Sequence, residues 1–255
     1  MIKGLITAIR TLTRIPIKGK DTGNFASSLP WFPVVGFLLA LLLSGVVLLL
    51  RNITNQSWNE AIAIFIILLS TLLTGALHLD GFADWADSLG ALNNKEKMLK
   101  IMKDSNSGVF GVVALILLLL AKWIVLIKLL ELNLIILALF VSYVASRFSM
   151  VYLSVTLPYA RTTGGTGERF VKEAKYSHLV LAFFISITLL FLIGNILAVI
   201  FFLFSFPIIY LWKRWCKNNL NGVTGDLLGA GSEIIEVSIL FSIALFYNSI
   251  QLFIK

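Results

Sequence analysis

The sequence is poor in charged residues, and this scarcity excludes a soluble domain. Only 13% of its 255 residues are charged, whereas 58% are hydrophobic and the mean hydropathy is +0.94. A soluble domain has about 25% charged residues. A soluble core of this chain length could not enclose so much apolar surface, so the composition predicts a membrane protein.

Cysteine and acidic residues are also scarce. The single cysteine, Cys216, excludes an internal disulfide and a metal site built from several thiolates. The 13 acidic residues stand against 21 basic ones, which gives a net charge of +8. This excess indicates contact with anionic lipid head groups and does not require a nucleic acid partner. The N-terminal segment also lacks the compact apolar core of a cleavable signal peptide.

Long apolar runs predict an all-α, polytopic membrane protein with a single integral-membrane domain over residues 1–255. About 20 apolar residues cross a bilayer as a helix, and such runs cover residues 31–50, 61–77, 109–130, 134–157, 179–212 and 234–254. As one helix, run 179–212 would be roughly 51 Å long. Gly194 and Asn195 favour two spans with a tight turn, which gives about seven transmembrane helices. The alternative is one long tilted helix with a tail on the surface.

The distribution of basic residues predicts the orientation. Lys122 and Arg147 lie inside spans. Of the other Lys and Arg residues, only Arg51, Lys128 and Lys255 fall on one side, and the rest fall on the opposite side. Because loops rich in Lys and Arg remain cytoplasmic, we expect a multi-pass protein of the inner (cytoplasmic) membrane with a cytoplasmic N-terminus. Residues 1–20 are amphipathic and predict an interfacial helix on the lipid bilayer. The cytoplasmic loops that could carry a site cover residues 78–108, 158–178 and 213–233.

The segment LHLDGFADWADS, residues 77–88, is the most informative stretch. It contains Asp80, Asp84 and Asp87 at a spacing that places three carboxylates on one face of a helix. A divalent cation would relieve their repulsion, and Mg²⁺ binds carboxylate and phosphate oxygens together. The spacing therefore predicts a Mg²⁺-dependent phosphate site. A solvated helix end with acids spaced by chance is the alternative.

Two further segments could contact phosphate through backbone N–H groups and basic side chains. They are IMKDSNSGVFG, residues 101–111, and RTTGGTGERF, residues 161–170. Alone, each pattern is weak, because a capped helix start or a flexible loop looks the same. The candidate binding residues in these segments are Lys103, Asp104, Ser105, Arg161, Gly164 and Gly165.

Other charged residues lie at or inside the spans. Asp226 and Glu233 precede the last span, where a carboxylate can also be a simple helix cap. Arg147 lies inside a span, where a charge is costly and usually faces a polar cavity or a partner. We expect a phosphate or carboxylate partner for it, with structural pairing to an acid as the alternative. Lys122 is expected to extend to the membrane surface, and His78 to form only a wall of the site.

Several segments resemble the motifs of one known family, in that family's order: TLTRIP (11–16), FPVVG (32–36), LHLDGFADWADSLGA (77–91), IMKDSNSGVFG (101–111), YARTTGGTGERF (159–170) and GVTGDLLGAGSE (222–233). Over nearly its whole length the chain resembles the cobalamin synthase (adenosylcobinamide-GDP ribazoletransferase) family. The acidic segment is specific, whereas the glycine loops alone would not be. The resemblance implies transfer from adenosylcobinamide-GDP to α-ribazole or its 5′-phosphate. The products are adenosylcobalamin or its phosphate, and GMP.

The resemblance also implies a role for each candidate residue. It implies that Asp80, Asp84 and Asp87 form a Mg²⁺ site. It implies that Arg147 and Arg161 neutralise phosphate, and that Asp226 and Glu233 form a second metal site or act as general base. Asp104 completes the Mg²⁺ shell or orients the nucleophile. The other nucleotide-loop assembly enzymes of this pathway are soluble, so they are potential partners of the interfacial helix.

Two other classes of function stay open at this stage. An ion-coupled transporter would use Arg147 and the acids as a relay, although the acids gather in predicted loops and no inverted repeat is visible. A CDP-alcohol lipid phosphotransferase has a similar acidic motif. Here, however, Asp84 stands where an arginine would follow the alanine, and the second half of that motif is absent.

Overall fold

The computed structural model is mostly helical. It describes residues 2–54, 58–104, 106–162, 164–165 and 167–254, with side chains at all of these except 195, 248 and 250–254. Within these ranges there is no strand, and one isolated parallel bridge joins Tyr159 to Val223. The helices are α1 (Ile2–Leu12), α2 (Phe32–Ile53), α3 (Asn59–Thr74), α4 (Leu77–Ser88), α5 (Lys95–Ile101), α6 (Val109–Glu131), α7 (Ile135–Thr156), α8 (Glu168–Val171), α9 (Tyr176–Leu203), α10 (Ser205–Leu220) and α11 (Gly225–Ile254), with 3-10 turns at Phe25–Trp31 and Leu89–Ala91.

Six helical segments of the described chain are long and apolar enough to cross a bilayer. They are Phe25–Ile53, Val109–Glu131, Ile135–Thr156, Tyr176–Gly194, Ile196–Leu220 and Gly225–Tyr247. The α3–α4 pair, bent by 92°, would make a seventh if it counts as one broken span. The prediction of an all-α polytopic membrane protein with about seven spans is confirmed.

The apolar run 179–212 folds back on itself. The ring centroid of Phe183 lies 6.2 Å from that of Phe202 and 6.1 Å from that of Phe206. In one straight helix, Phe183 and Phe202 would be about 28 Å apart. The chain therefore reverses between them, inside the range given for α9, and candidate spans lie on both sides of residue 195. This confirms the predicted pair of spans and excludes the single tilted helix.

Helix α7 lies at the centre of the bundle and packs against α2, α9 and α11. In the most apolar stretch of α7, 83% of the residues are buried within the protein. The approach of α2 is close because Gly36 has no side chain, and a Cβ there would collide with the backbone carbonyl of Tyr143. Small residues such as Ala138 and Ala145 line the same helix and are fully buried. Small residues at such contacts let membrane helices pack backbone to backbone.

The turn between α3 and α4 positions the acidic helix. Helix α3 has 16 residues, which is about 24 Å and shorter than the hydrocarbon core of about 30 Å. It ends at Gly75 and Ala76, both in the left-handed region with φ of 62° and 57°. Helix α4 then packs across α6 and α11. The predicted loops 78–108 and 213–233 are therefore largely helical, because α4, α5, α10 and α11 extend into them.

The N-terminal segment contains the predicted amphipathic helix, but part of its apolar face contacts protein. Ala8 and Leu12 are fully buried, and α1 packs on the turn Phe25–Trp31 and on α2. By contrast, Ile2 is 77% exposed. The start of α1 can therefore contact lipid, whereas its end is anchored in the core.

Candidate active site

The acidic helix α4 presents its carboxylates as the sequence predicted. The observed helix Leu77–Ser88 contains all three aspartates of the motif. Asp80 is exposed and Asp84 is half-buried. Neither carboxylate accepts a hydrogen bond from a residue that the structure describes. Their oxygens are therefore available to a ligand.

Asp87 has a different environment from the other two aspartates. Its Oδ2 accepts a hydrogen bond from the backbone N–H of Gly108, and its Oδ1 accepts one from Gly111, both at 2.7 Å. These N–H groups belong to the start of α6, where the first backbone donors have no partner within the helix. Asp87 therefore caps α6, and each of its oxygens keeps one lone pair for a metal.

Asp226 brings a fourth carboxylate to the three on α4. An added Cβ at Gly81 would lie 2.6 Å from the carbonyl oxygen of Asp226 and 2.9 Å from its Cα, so only glycine lets α4 and α11 approach this closely. We call Asp80, Asp84, Asp87 and Asp226 the carboxylate cluster. Asp226 is distant from the other three in sequence, and the packing of α4 on α11 brings it to them.

Arg161 is held against the carboxylate cluster. Pro158 and Ala160 make backbone hydrogen bonds to Val223 at 2.9 and 3.0 Å, and this bridge fixes the loop that contains Arg161. Its Nη2 donates to Oδ2 of Asp226 at 2.7 Å and to the carbonyl of Met102 at 3.2 Å. The guanidinium therefore lies beside the acids of the cluster.

The electrostatics of the cluster favour a bound cation. Helix α4 lies outside the six candidate spans. Burial, followed by the negative charges of Asp80, Asp226 and Asp87, raises the pKa of Asp84 to about 7. A cation near these carboxylates would stabilise their charged forms.

The oxygen donors of the cluster fit Mg²⁺. No three acidic, histidine or cysteine side chains in the described ranges form a ready-made metal site. Mg²⁺, however, is commonly held by one or two carboxylates together with water and substrate phosphate oxygens. Asp80 and Asp84, with no hydrogen-bond partner among the described residues, can supply such a pair.

The segment before α6 lies at the edge of this site. Lys103 and Asp104 are exposed, and the carboxylate of Asp104 accepts hydrogen bonds from Asn106 at 2.8 and 3.1 Å. The bond from Arg161 to Met102 holds this segment beside the carboxylate cluster. Ser105, the other predicted binding residue here, lies outside the described residues.

A cavity of about 660 Å³ opens beside the carboxylate cluster, and we call it the main cavity. Its lining includes Asp80, Asp226 and Gly165 from the predicted site, and His78, which sequence analysis gave only a wall position. Gly164 and Gly165 have φ of 70° and 141°, so their left-handed backbone suits glycine. The predicted glycine loop thus reaches the main cavity.

The apolar wall of the main cavity was not predicted from the sequence. Leu12, Phe32, Met150 and Phe170 belong to it. Leu12, Phe32 and Phe170 belong to the motif segments 11–16, 32–36 and 159–170 quoted for the family resemblance. Those motifs were a signal for the wall, since apolar motif residues beside polar ones can shape a ligand cavity.

Arg147 and Glu233 lie outside the lining of the main cavity, in a buried ion cluster with Lys122 and Glu236. Arg147 Nη1 is 2.9 Å from Glu236, and Lys122 Nζ is 2.6 Å from Glu233 and 2.7 Å from Glu236. The structural alternative for Arg147, pairing with an acid, is the arrangement observed. The expectation for Lys122 was wrong, because it is only 6% exposed and does not extend to the surface.

Fold and site together define a polytopic membrane protein with a carboxylate-lined cavity at the end of its spans. Residues 4–244 match the family model described as cobalamin-5-phosphate synthase. The chain therefore belongs to the cobalamin-5-phosphate synthase family. No solved structure matches it.

Named relatives cover almost the whole chain. The adenosylcobinamide-GDP ribazoletransferase of Chlorobaculum parvum is 39% identical over 98% of this chain and 98% of its own length. The protein of the same name from Chlorobium phaeobacteroides is 41% identical over 92% of this chain and 95% of its own. The one from Clostridium novyi is 33% identical, with 96% of each chain covered.

Proposed function

We propose that this protein transfers the cobinamide phosphate of adenosylcobinamide-GDP to α-ribazole or its 5′-phosphate, releasing GMP. Membership of the family and the names of relatives with near-complete coverage support this reaction. The observation that carries it is the carboxylate cluster, whose Asp226 pairs with Arg161 and lines the main cavity together with Asp80. Acids beside a cation in this arrangement suit a substrate with a pyrophosphate.

In the proposed reaction, a ribose hydroxyl oxygen attacks the phosphorus nearer the corrinoid. The bond from that phosphorus to the bridging oxygen breaks, and GMP leaves with this oxygen. The hydroxyl proton passes to a carboxylate on the main cavity, for which Asp226 is the candidate. Catalysis of phosphoryl transfer consists mainly of positioning and charge stabilisation, and those are the functions that the chain's residues would perform here.

Each part of the site has a proposed role in this transfer. Asp80 and Asp84 would hold Mg²⁺, which when bound neutralises pyrophosphate charge and assists departure of GMP. Arg161 would bind a phosphate oxygen while it keeps its contact with Asp226. Lys103 at the edge would meet the phosphate of the leaving nucleotide. Glu233, which is paired with Lys122, is assigned no role at the phosphates.

We also propose that the carboxylate cluster faces the cytoplasm, in the inner membrane. The basic segments predicted to be cytoplasmic include the loop of Arg161 and the segment of Lys103, which the structure brings together. Nucleotide substrates are in the cytoplasm, so this orientation gives them direct access. The exposed start of α1 is available to lipid or to soluble enzymes of the same pathway.

The transporter and the CDP-alcohol phosphotransferase receive no support from the comparisons. A direct test reconstitutes the purified protein in liposomes with adenosylcobinamide-GDP and α-ribazole, and measures GMP and the joined corrinoid. Equal amounts of both products, each requiring both substrates, are expected. A folded protein that forms neither product, from α-ribazole or its 5′-phosphate, would refute the proposed reaction.

A further inference from the structure

His78 is a buried polar side chain without a partner. It is 1% exposed, and neither Nδ1 nor Nε2 has a hydrogen-bond partner among the described residues. Buried polar groups in native proteins are nearly always hydrogen-bonded, so an exception requires an explanation. His78 lines the main cavity, and although its ring nitrogens have almost no accessible surface, a rotation of the imidazole would turn one of them to a ligand that supplies the missing partner.

The lining of the main cavity combines apolar and polar residues. Phe32, Met150 and Phe170 present aromatic and apolar surface, and the ring centroids of Phe32 and Phe170 lie 5.7 Å apart. The polar lining residues are Thr11, His78, Asp80, Arg169 and Asp226. A flat apolar part joined to a part with hydroxyl groups would match both kinds of residue.

The size of the main cavity restricts its occupant. Its volume of about 660 Å³ lies within the range of roughly 300–1,000 Å³ usual for small-molecule sites. A nucleoside fits this volume, whereas a corrin ring with its attached nucleotide is far larger. Of the two substrates in the proposed reaction, only the nucleoside can enter completely.

The polarity of the cavity also distinguishes the two bases in the reaction. The base of α-ribazole is a methylated benzimidazole, a flat bicycle with very little hydrogen-bonding edge. Guanine has several donors and acceptors along its edge, and would leave them unpaired against Phe32 and Met150. Unpaired buried polar groups oppose binding, so the apolar lining residues favour the benzimidazole.

We infer that the main cavity is the acceptor subsite, which holds the base of α-ribazole against Phe32, Met150 and Phe170 and its ribose against His78. This inference rests on the proposed function and specifies where one substrate binds. The ribose then lies next to Asp80 and Asp226, and its hydroxyls face the site proposed for the pyrophosphate. His78 acts as a positioning residue that fixes the sugar through a hydrogen bond.

The test compares His78→Leu, His78→Gln and Met150→Trp with the wild type in lipid nanodiscs. His178→Leu is a matched control, because His178 contacts the backbone N–H of Lys175 and does not line the cavity. Equilibrium binding of α-ribazole alone is measured first, followed by KM for each substrate. Thermal unfolding shows whether each variant is folded.

We expect His78→Leu to weaken α-ribazole binding about tenfold, the usual effect of one lost hydrogen bond of this kind. His78→Gln should retain part of the affinity, because its amide can still hydrogen-bond. Met150→Trp should abolish binding by filling the cavity. The KM for adenosylcobinamide-GDP should stay within about twofold in the His78 variants, and His178→Leu should match the wild type.

Unchanged α-ribazole binding in folded His78→Leu and Met150→Trp would overturn the subsite. The same conclusion would follow if only the KM for adenosylcobinamide-GDP rose. If α-ribazole binds as expected but no GMP is formed by the wild type, the subsite stands and the proposed reaction fails. The binding and product measurements therefore separate the two failures.

Discussion

At the residue scale, the ion cluster shows how burial decides the role of a charge. Lys122, Arg147, Glu233 and Glu236 contribute two positive and two negative groups, and all are at most 6% exposed. Arg147 was a candidate for substrate contact because a charge inside a span is costly, and Glu233 because it lies in an acidic segment near the start of the last span. Their actual partners come from other helices, at sequence separations that no local pattern can reveal. The sequence therefore identifies the charged residues but does not reveal which of them form ion pairs.

Breaking the ion cluster should destabilise the fold. Arg147→Met leaves Glu236 short of one cation and should lower the free energy of unfolding by about 3–5 kcal/mol. Denaturation in mixed micelles measures this. Glu131→Gln is the control, because its pair with Lys128 is half-exposed and should contribute at most about 1 kcal/mol. A stable Arg147→Met variant with a raised KM for adenosylcobinamide-GDP would instead support the phosphate role.

Asp87 can be separated from the other aspartates by its effect on stability. Asp87→Ala removes both acceptors at the start of α6 and should cost about 1–2 kcal/mol of unfolding free energy, as for other helix caps. Asp80→Ala should have little effect on stability, because no described residue donates a hydrogen bond to Asp80. Equal stability of the two variants would show that the cap is unimportant.

Asp84 should give the apparent stability a dependence on pH in the absence of divalent cations. Its pKa of about 7 in the fold, raised from 3.8, means that the folded state holds this proton more tightly than the unfolded state. Stability should therefore fall as pH rises from about 4 to 7. The melting temperature in chelator measures this, and Asp84→Asn should reduce the slope. An identical slope in the variant would contradict the raised pKa.

At the element scale, the length of an apolar run predicts structure from the sequence more reliably than the residues of a turn do. The hairpin in run 179–212 was predictable, because one helix would have been too long for the membrane and Gly194 offered a break. The 92° turn before α4 was not predicted. One of its two left-handed residues is Ala76, which carries no sequence signal for that conformation. Tertiary packing of α4 on α6 and α11 decides this turn.

The contact between α4 and α11 should control activity. In Gly81→Ala, the new Cβ would lie within 2.9 Å of two backbone atoms of Asp226, so the helices must separate. A displacement of about 1 Å can cost about 100-fold in rate, and we expect a loss of that order in GMP release. Gly45→Ala is the control, because a Cβ at Gly45 meets open space. Similar activity in both variants would show that the close approach is dispensable.

At the scale of the whole molecule, the bundle assembles a site from residues that are distant in sequence. The acids of α4, the arginine of the 158–165 loop and the start of α11 meet at one end of the spans. The sequence predicted most of these residues by type, because Mg²⁺ and phosphate require carboxylates, cations and glycine loops. The cavity next to them could not be predicted, since its apolar wall comes from α1, α2, α7 and α8, and apolar residues are abundant throughout a membrane protein.

The proposal that the carboxylate cluster is a Mg²⁺-dependent catalytic site can be tested by an activity measurement. GMP release in proteoliposomes is followed against Mg²⁺ concentration for the wild type, for Asp84→Asn and for Asp21→Asn, whose carboxylate pairs with Arg10 away from the cavity. We expect activity that chelator abolishes, a loss of about 100-fold or more in Asp84→Asn, and near-normal activity in Asp21→Asn. Wild-type activity in chelator, or full activity in Asp84→Asn, would contradict it.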